Sequence, residues 1–193
     1  MGKRCFLLNN ISDFSVIGGD LRQVSVANRL YEQGHNVNVF SLCDTSALNC
    51  GITVCTDLDE CVCNAHAVIL PLPCSQDGEL ISGTDIKLTG LFCALPSGCI
   101  VFGGRITEKI RSLSSAYNFE LTDYFGSDAI EIKNAVPTAE GAIGIAMEKT
   151  YKTIHGSKCL VLGFGRIGKI LSRLLYNMGA KVTAAARKRN DLA

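Results

Sequence analysis

The sequence predicts an α/β fold built on a parallel, doubly wound sheet. Two observations support this class: apolar runs of strand length alternate with segments of helical periodicity, and glycine-rich turns separate several of them. The 193 residues are 47% hydrophobic and 19% charged, an ordinary globular composition. A formal net charge of +1 gives no basic field for phosphate backbones or anionic lipid, so nucleic acid and membranes are not expected partners.

The first elements form a predicted strand, helix and strand. Apolar runs at 14–17 and 37–40 have strand length, and the segment 21–33 between them carries apolar residues with helical period. Gly34 follows this helix as a C′ glycine would. Further strands are expected at 52–54, 67–70 and 99–102, and further helices at 85–95 and 106–116.

A change of pattern near residue 136 predicts a domain boundary. Val136-Pro137 favours an extended step, and Thr138 can cap a helix that continues to about Tyr151. The segment after this helix is about a hundred residues shorter than a complete dinucleotide-binding domain. We therefore expect that the chain is a fragment of a longer protein, or that a partner covers its open sheet. The predicted parts are an N-terminal substrate domain, a connector helix with its linker, and the first βαβ unit of a second domain, at 1–135, 136–156 and 157–193 respectively.

A glycine motif in the second domain predicts dinucleotide binding. It matches G-x-G-x-x-G between a predicted strand at 159–162 and a predicted helix at 167–178, and a second strand follows at 182–185. The first glycine makes the tight turn, the second lets backbone amides approach a pyrophosphate, and the third lets helix and strand pack closely. A βαβ unit that needs glycines only for packing is the alternative. The motif consists of Gly163, Phe164, Gly165, Arg166, Ile167 and Gly168.

The end of the strand after this motif bears on the choice of cofactor. An acidic residue there usually binds the ribose 2′-hydroxyl, whereas Ala186 occupies the position in this chain and Arg187 follows it. Without a carboxylate nothing repels a 2′-phosphate, and Arg187 can pair with it. The sequence therefore favours NADP over NAD, unless the cations at 187–189 are only a solvated run.

A second glycine turn, at the start of the first helix, lacks the dinucleotide fingerprint. Its amides could still hold an anion, and Arg22 in the first helical turn opposes the helix dipole. Asp20 is explained equally well as an N-cap. We predict contacts to a substrate or an interface for Gly18, Gly19, Asp20, Arg22 and Gln23.

Thr138 and Glu140 are candidate catalytic residues because they lie at the predicted cleft, although an N-cap and a first-turn acid explain them structurally as well. His155 precedes its strand at the amino-terminal end, which favours a structural role. Ten cysteines without an export signal favour free thiols in the cytoplasm. The three histidines lack a paired ligand spacing, so no metal site is expected.

Four blocks resemble the family of the dipicolinate synthase A subunit: VIGGDxRQ at 16–23, VPTAEG at 136–141, TIHGS at 153–157 and LGFGR at 162–166. The resemblance implies a flavodoxin-like N-terminal domain joined to a Rossmann NAD(P)-binding domain akin to those of 2-hydroxyacid dehydrogenases and adenosylhomocysteine hydrolase. It also implies a sporulation enzyme of the mother-cell cytoplasm, which oxidises a dihydrodipicolinate-type precursor to dipicolinate with a flavoprotein-like B subunit. Homo-oligomerisation is also expected.

The chain departs from the family pattern in two respects, and two alternative functions stay open. Residues before Phe14 look like an extra segment, and family members continue beyond Ala193, so the isolated chain could be inactive. Arg22, Gln23 and the amides of the glycine turn are then the expected contacts of a dicarboxylate substrate, with Thr138 in support and Glu140 as the base. The alternatives are a 2-hydroxyacid dehydrogenase-like reductase and a non-catalytic assembly protein.

Overall fold

The computed structural model describes residues 11–126 and 128–187, which form two compact units. Unit 1 ends at Gly126, and unit 2 comprises the described residues from Asp128 onward. The predicted domain boundary after residue 135 therefore falls inside unit 2 rather than at the division. Cys5 and the cations Lys188 and Arg189 lie outside the described residues.

Unit 1 contains a six-stranded parallel sheet with the strand order β3-β2-β1-β4-β5-β6. Without the two-residue edge strand β3, the remaining five strands have the flavodoxin order, which confirms the predicted fold class. The strands are β1 (Asp13–Ile17), β2 (Asn36–Phe40), β3 (Thr53–Val54), β4 (Ala67–Ile69), β5 (Ile100–Gly103) and β6 (Glu120–Asp123).

Four described helices connect these strands: α1 (Leu21–Glu32), α2 (Leu58–Val62), α3 (Leu88–Ala94) and α4 (Glu108–Ser114). After α1, Gly34 has a φ of 88° and its N–H donates to the Tyr31 carbonyl at 2.9 Å, so the predicted C′ glycine is confirmed. The predicted strands and helices of unit 1 are all present, with shifted ends. The sequence patterns missed α2 and β6.

The core of unit 1 lies on both faces of its sheet. Ile17, Val68 and Leu91 belong to the larger cluster of buried side chains, whereas Val16 and Val39 belong to a second cluster. Consecutive residues of β1 are thus buried on opposite faces, as expected for a parallel sheet covered on both sides. This arrangement leaves the carboxyl-terminal edge of the strands as the place where loops can form a site.

Unit 2 is a helix followed by a βαβ unit: α5 (Asp128–Lys149), β7 (Lys158–Leu162), α6 (Arg166–Asn177) and β8 (Lys181–Ala185). The parallel strands β7 and β8 pair over their full length, from Lys158 opposite Lys181 to Leu162 opposite Ala185. Their buried side chains pack with α5 and α6 in one cluster. Among the described helices, none has the length and hydropathy needed to cross a membrane.

The helix of the connector begins earlier than its sequence suggests. Pro137 lies within α5, and the hydroxyl of Thr138 donates to the Asn134 carbonyl at 2.7 Å instead of capping a helix start. The predicted N-cap at Thr138 is therefore wrong. Pro137 removes one backbone hydrogen bond of α5 but does not end the helix. The acidic side chains of Asp128 and Glu131 in the first turn favour the start of the helix.

Candidate functional site

The first part of the candidate site is the carboxyl-terminal edge of the unit 1 sheet. The strand order reverses at β1, which pairs with β2 on one side and β4 on the other. Ligands of open α/β sheets bind outside the strand ends at such a reversal. The glycine turn after β1 and the loop after β4 meet there, since Arg22 contacts the Leu72 carbonyl.

The two glycine amides of this turn are already engaged. Gly18 N–H donates to the Phe40 carbonyl at 3.0 Å, and Gly19 N–H donates to the Ser82 carbonyl at 3.1 Å. Both glycines have positive φ values, 67° and 86°, which a side chain would disfavour. The prediction that these amides hold a substrate anion is therefore wrong, because their role is to join the turn to neighbouring loops.

Asp20 and Gln23 form a capping box at the start of α1. The Asp20 carboxylate accepts from the Arg22 N–H at 3.0 Å, and the Gln23 side-chain oxygen accepts from the Asp20 N–H at 3.1 Å. Gln23 is only 4% exposed. These contacts explain both residues structurally and do not support the predicted substrate contact of Gln23.

Arg22 is held in place but keeps free donors. Its Nε donates to Asp20 Oδ1 at 2.9 Å, and its Nη2 donates to Asp20 Oδ2 at 2.8 Å and to the Leu72 carbonyl at 2.9 Å. Hydrogen bonds from Arg22 favour the ionised carboxylate, so the pKa of Asp20 is lowered. The side chain is 53% exposed, and within the described part of the chain its Nη1 has both N–H donors available for an anion.

Tyr124 is a site residue that the sequence patterns did not identify. Its hydroxyl donates to the Leu70 carbonyl at 3.1 Å, next to the loop that Arg22 contacts. Burial raises its pKa to about 12, so it remains a neutral donor and acceptor near neutral pH. Recognition of β6, which ends at Asp123, would have placed Tyr124 at the ligand-binding edge.

Cys74, in the loop after β4, does not have the properties of a reactive thiol. The residue is 1% exposed, and burial raises its pKa to about 11. Cys99 is similarly buried, while Cys159 is half-buried in the core of unit 2. The nine described cysteines are all free thiols.

The second part of the candidate site is the glycine-rich turn of unit 2, between β7 and α6. Gly163 has a φ of 102°, and its N–H donates to the Ala185 carbonyl at 2.7 Å, which ties the turn to β8. Gly165 is the N-cap of α6 and has no side chain to satisfy the first N–H groups of the helix. Apart from Gly165 itself and its two chain neighbours, no described atom lies within 4 Å of a Cβ built there, so a phosphate could approach the backbone.

The third glycine of the motif is required by packing. A Cβ on Gly168 would overlap the Gly163 carbonyl oxygen, and would lie 2.9 Å from the carbonyl carbon. Each of the three glycines thus has the environment expected of a phosphate-binding turn. The residues present fit a dinucleotide pyrophosphate.

Charged side chains surround this turn. The Arg166 guanidinium contacts Asp128 at 2.6 Å and also pairs with Glu131, both in the first turn of α5. Lys169 Nζ lies 5.7 Å from the centre of the Phe164 ring. Phe164 and Lys169, with Ile170 and Arg173, line an open groove of about 360 Å³.

The end of β8 is the position at which the sequence predicts a preference for NADP. The strand ends at Ala185, Ala186 follows it, and Arg187 is exposed. No carboxylate stands at the position where a ribose-binding acid is usual.

The remaining predicted residues lie elsewhere. Thr138 and Glu140 are exposed positions of α5 in unit 2, whereas Arg22 belongs to unit 1, so neither unit alone contains both sets. His155 packs against Gly179, where a Cβ would come within 3.0 Å of its Nε2. This contact supports the expected structural role of His155.

Comparison with known proteins gives a consistent result for both units. The family of the N-terminal domain of the dipicolinate synthase A subunit matches residues 13–125. The dipicolinate synthase A subunit of Bacillus subtilis (strain 168) is 31% identical over 191 residues, which cover 93% of this chain and 62% of that protein. The chain therefore spans less than two thirds of the length of this relative.

Two crystal structures have the same fold over most of the chain. The A chain of dipicolinate synthase from Bacillus subtilis has a TM-score of 0.67 at 28% identity, and the match covers 93% of this chain and 62% of that one. The dipicolinate synthase A subunit from Bacillus halodurans has a TM-score of 0.69 at 26% identity, with coverages of 93% and 63%.

Proposed function

The chain belongs to the family of the dipicolinate synthase A subunit, and we propose that its protein oxidises a dihydrodipicolinate-type precursor to dipicolinate with NADP⁺ as the oxidant. The observation that carries this proposal is the turn from Gly163 to Gly168, whose geometry suits a dinucleotide pyrophosphate. The reaction would serve sporulation in the mother-cell cytoplasm, with the dipicolinate synthase B subunit as the partner protein.

The oxidation removes a hydride and a proton from the partly reduced ring, which leaves an aromatic pyridine-2,6-dicarboxylate. When bound, NADP⁺ supplies the hydride acceptor. The chain's own residues would orient the substrate and neutralise its two carboxylates. Glu140, which is exposed on α5, is our candidate for the proton acceptor.

Arg22 is our candidate contact for one substrate carboxylate. Asp20 and the Leu72 carbonyl fix its guanidinium, so little side-chain entropy is lost when its Nη1 donors meet a ligand. A charge-assisted hydrogen bond of this kind is worth about 1.5–3 kcal/mol. Gly18, Gly19, Asp20 and Gln23 would support the site by shaping the turn and the helix cap.

The activity is tested by following dipicolinate absorbance with the protein, the dihydro precursor and either NADP⁺ or NAD⁺, with and without the B subunit. We expect dipicolinate formation with NADP⁺, accompanied by an equal amount of NADPH. Replacement of Glu140 by glutamine should lower kcat more than it raises KM for the precursor. Cofactor binding without turnover in the presence of the B subunit would contradict the proposed oxidation.

Cofactor preference is tested separately by calorimetric titration. One contact between Arg187 and a 2′-phosphate corresponds to a roughly ten- to hundredfold preference for NADP over NAD. Arg187→Ala should remove most of this preference and leave NAD binding nearly unchanged. Lys181→Ala is the matched control, because it removes an exposed cation at the other end of β8. Equal affinities of the unmutated protein for NADP and NAD would contradict the assignment.

A further inference from the structure

The glycine-rich turn of unit 2, between β7 and α6, lies beside an arrangement of charged side chains that phosphate binding alone does not explain. Two carboxylates of α5, Asp128 and Glu131, pair with the guanidinium of Arg166, the first residue of α6. Because one cation faces two anions, these three side chains together have a net charge of −1. This negative charge lies at a helix N-terminus that should attract phosphate.

The ion pairs leave Arg166 with unused capacity. A guanidinium has five N–H donors in a fixed fork, and the two carboxylates use one donor on each terminal nitrogen. Among the residues that the structure describes, no other partner engages the remaining three donors while both carboxylates are paired. Arg166 can hold the carboxylates and contact a further anion at the same time.

Resting on the proposed cofactor site, we propose that Arg166 acts as an electrostatic screen, which halves the negative charge of Asp128 and Glu131 so that a dinucleotide pyrophosphate can bind beside them. In this role Arg166 is a positioning residue, because it acts through the two carboxylates. Without it, two unpaired carboxylates would repel the pyrophosphate across the first turns of α5 and α6. Asp128 and Glu131 are then determinants of cofactor affinity although neither needs to touch the cofactor.

Combined variants distinguish an electrostatic screen from a simple contact between Arg166 and the cofactor. Arg166→Ala should weaken NADPH binding at least tenfold, measured by the fluorescence of the bound nucleotide. The triple variant Arg166→Ala, Asp128→Asn, Glu131→Gln should recover most of that loss, because the repelling charges are gone. Arg166→Lys should bind more weakly than the unmutated protein but more tightly than Arg166→Ala, since it keeps the charge and loses the fork that holds both carboxylates.

Salt provides a second readout that does not depend on activity. The affinity deficit of Arg166→Ala should shrink between 0.1 M and 1 M salt, because the Debye length falls from about 10 Å to about 3 Å. If the triple variant binds as weakly as Arg166→Ala, or if Arg166→Ala binds normally, the screen is wrong. If the unmutated protein binds neither NADPH nor NADH, the proposed cofactor function is wrong, and the proposed role of Arg166 is then wrong as well.

Discussion

Replacement of Gly168 by alanine should destabilise unit 2. The added Cβ would overlap the Gly163 carbonyl oxygen and lie 3.7 Å from Val161 Cγ1, so the glycine turn or α6 must move away from β7. Overpacking of this kind costs about 1–3 kcal/mol, and alanine returns up to about 1 kcal/mol through its higher helix propensity. We expect the free energy of unfolding to fall by about 1–2 kcal/mol.

Gly141→Ala is the matched control for this change. Gly141 lies in the interior of α5, and apart from its chain neighbours and the adjacent backbone of its own helix no described atom lies within 4 Å of a Cβ built there. The same substitution should therefore raise the free energy of unfolding by about 0.5–1 kcal/mol. Both variants add the same methyl group to a helix, but only at Gly168 does that group meet the backbone of another segment.

Urea denaturation followed by circular dichroism measures both effects. The transition midpoints of the two variants should move in opposite directions while their slopes stay equal, which identifies a change in stability rather than in compactness. Equal stability of Gly168→Ala and Gly141→Ala would show that the Gly168 position has room for a Cβ and would refute the expected clash with Gly163.

Three further predictions concern other parts of the chain. Arg22→Ala should raise KM for the precursor roughly ten- to hundredfold. Arg29→Ala, on the same helix, is the control and should leave KM unchanged. Unchanged kinetics of Arg22→Ala would show that Arg22 does not bind the substrate. N–H groups of the following residues lower the pKa of Asp77 to about 2, so its stabilising effect is complete above about pH 4 and is lost as the pH falls toward 2. Asp77→Asn should abolish this component of the acid sensitivity, measured by urea midpoints between pH 6 and pH 2, and an equal loss of stability in both proteins would contradict it. A thiol reagent should find nearly ten free thiols in denatured protein prepared without reductant. In native protein the reagent should react first with the exposed thiols, which are Cys43, Cys50, Cys63 and Cys93. A fast reaction of Cys74 would contradict its burial.

Local sequence patterns predicted most of the fold because its strands are apolar and its turns are marked by glycine. The βαβ unit of unit 2 is the clearest case, since strand, glycine turn and helix follow in register from Lys158 to Asn177. The start of α5 could not be predicted in this way, because Pro137 looks like a helix boundary when its neighbours are unknown. Strand β6 was missed because only Leu121 among its residues is a large apolar side chain.

The site was less predictable than the fold because it depends on contacts distant in sequence. The sequence predicted that the amides of Gly18 and Gly19 are available for an anion. In the structure they donate to the carbonyl groups of Phe40 and Ser82, which are distant in sequence. The carboxylates that pair with Arg166 precede it by more than thirty residues. No local pattern around the glycine motif could have revealed them.

The connectivity of the two sheets has a consequence for the order in which the chain folds. In unit 2 the paired strands lie within a single βαβ segment, Lys158 to Ala185, whereas in unit 1 the central strand β1 must find β4, where Phe14 pairs with Ala67. The entropic cost of closing the longer loop rises only slowly with length, but non-local pairing slows the search for native contacts. We therefore expect the β7–β8 pair to form early on refolding, and the six-stranded sheet to set the slow phase.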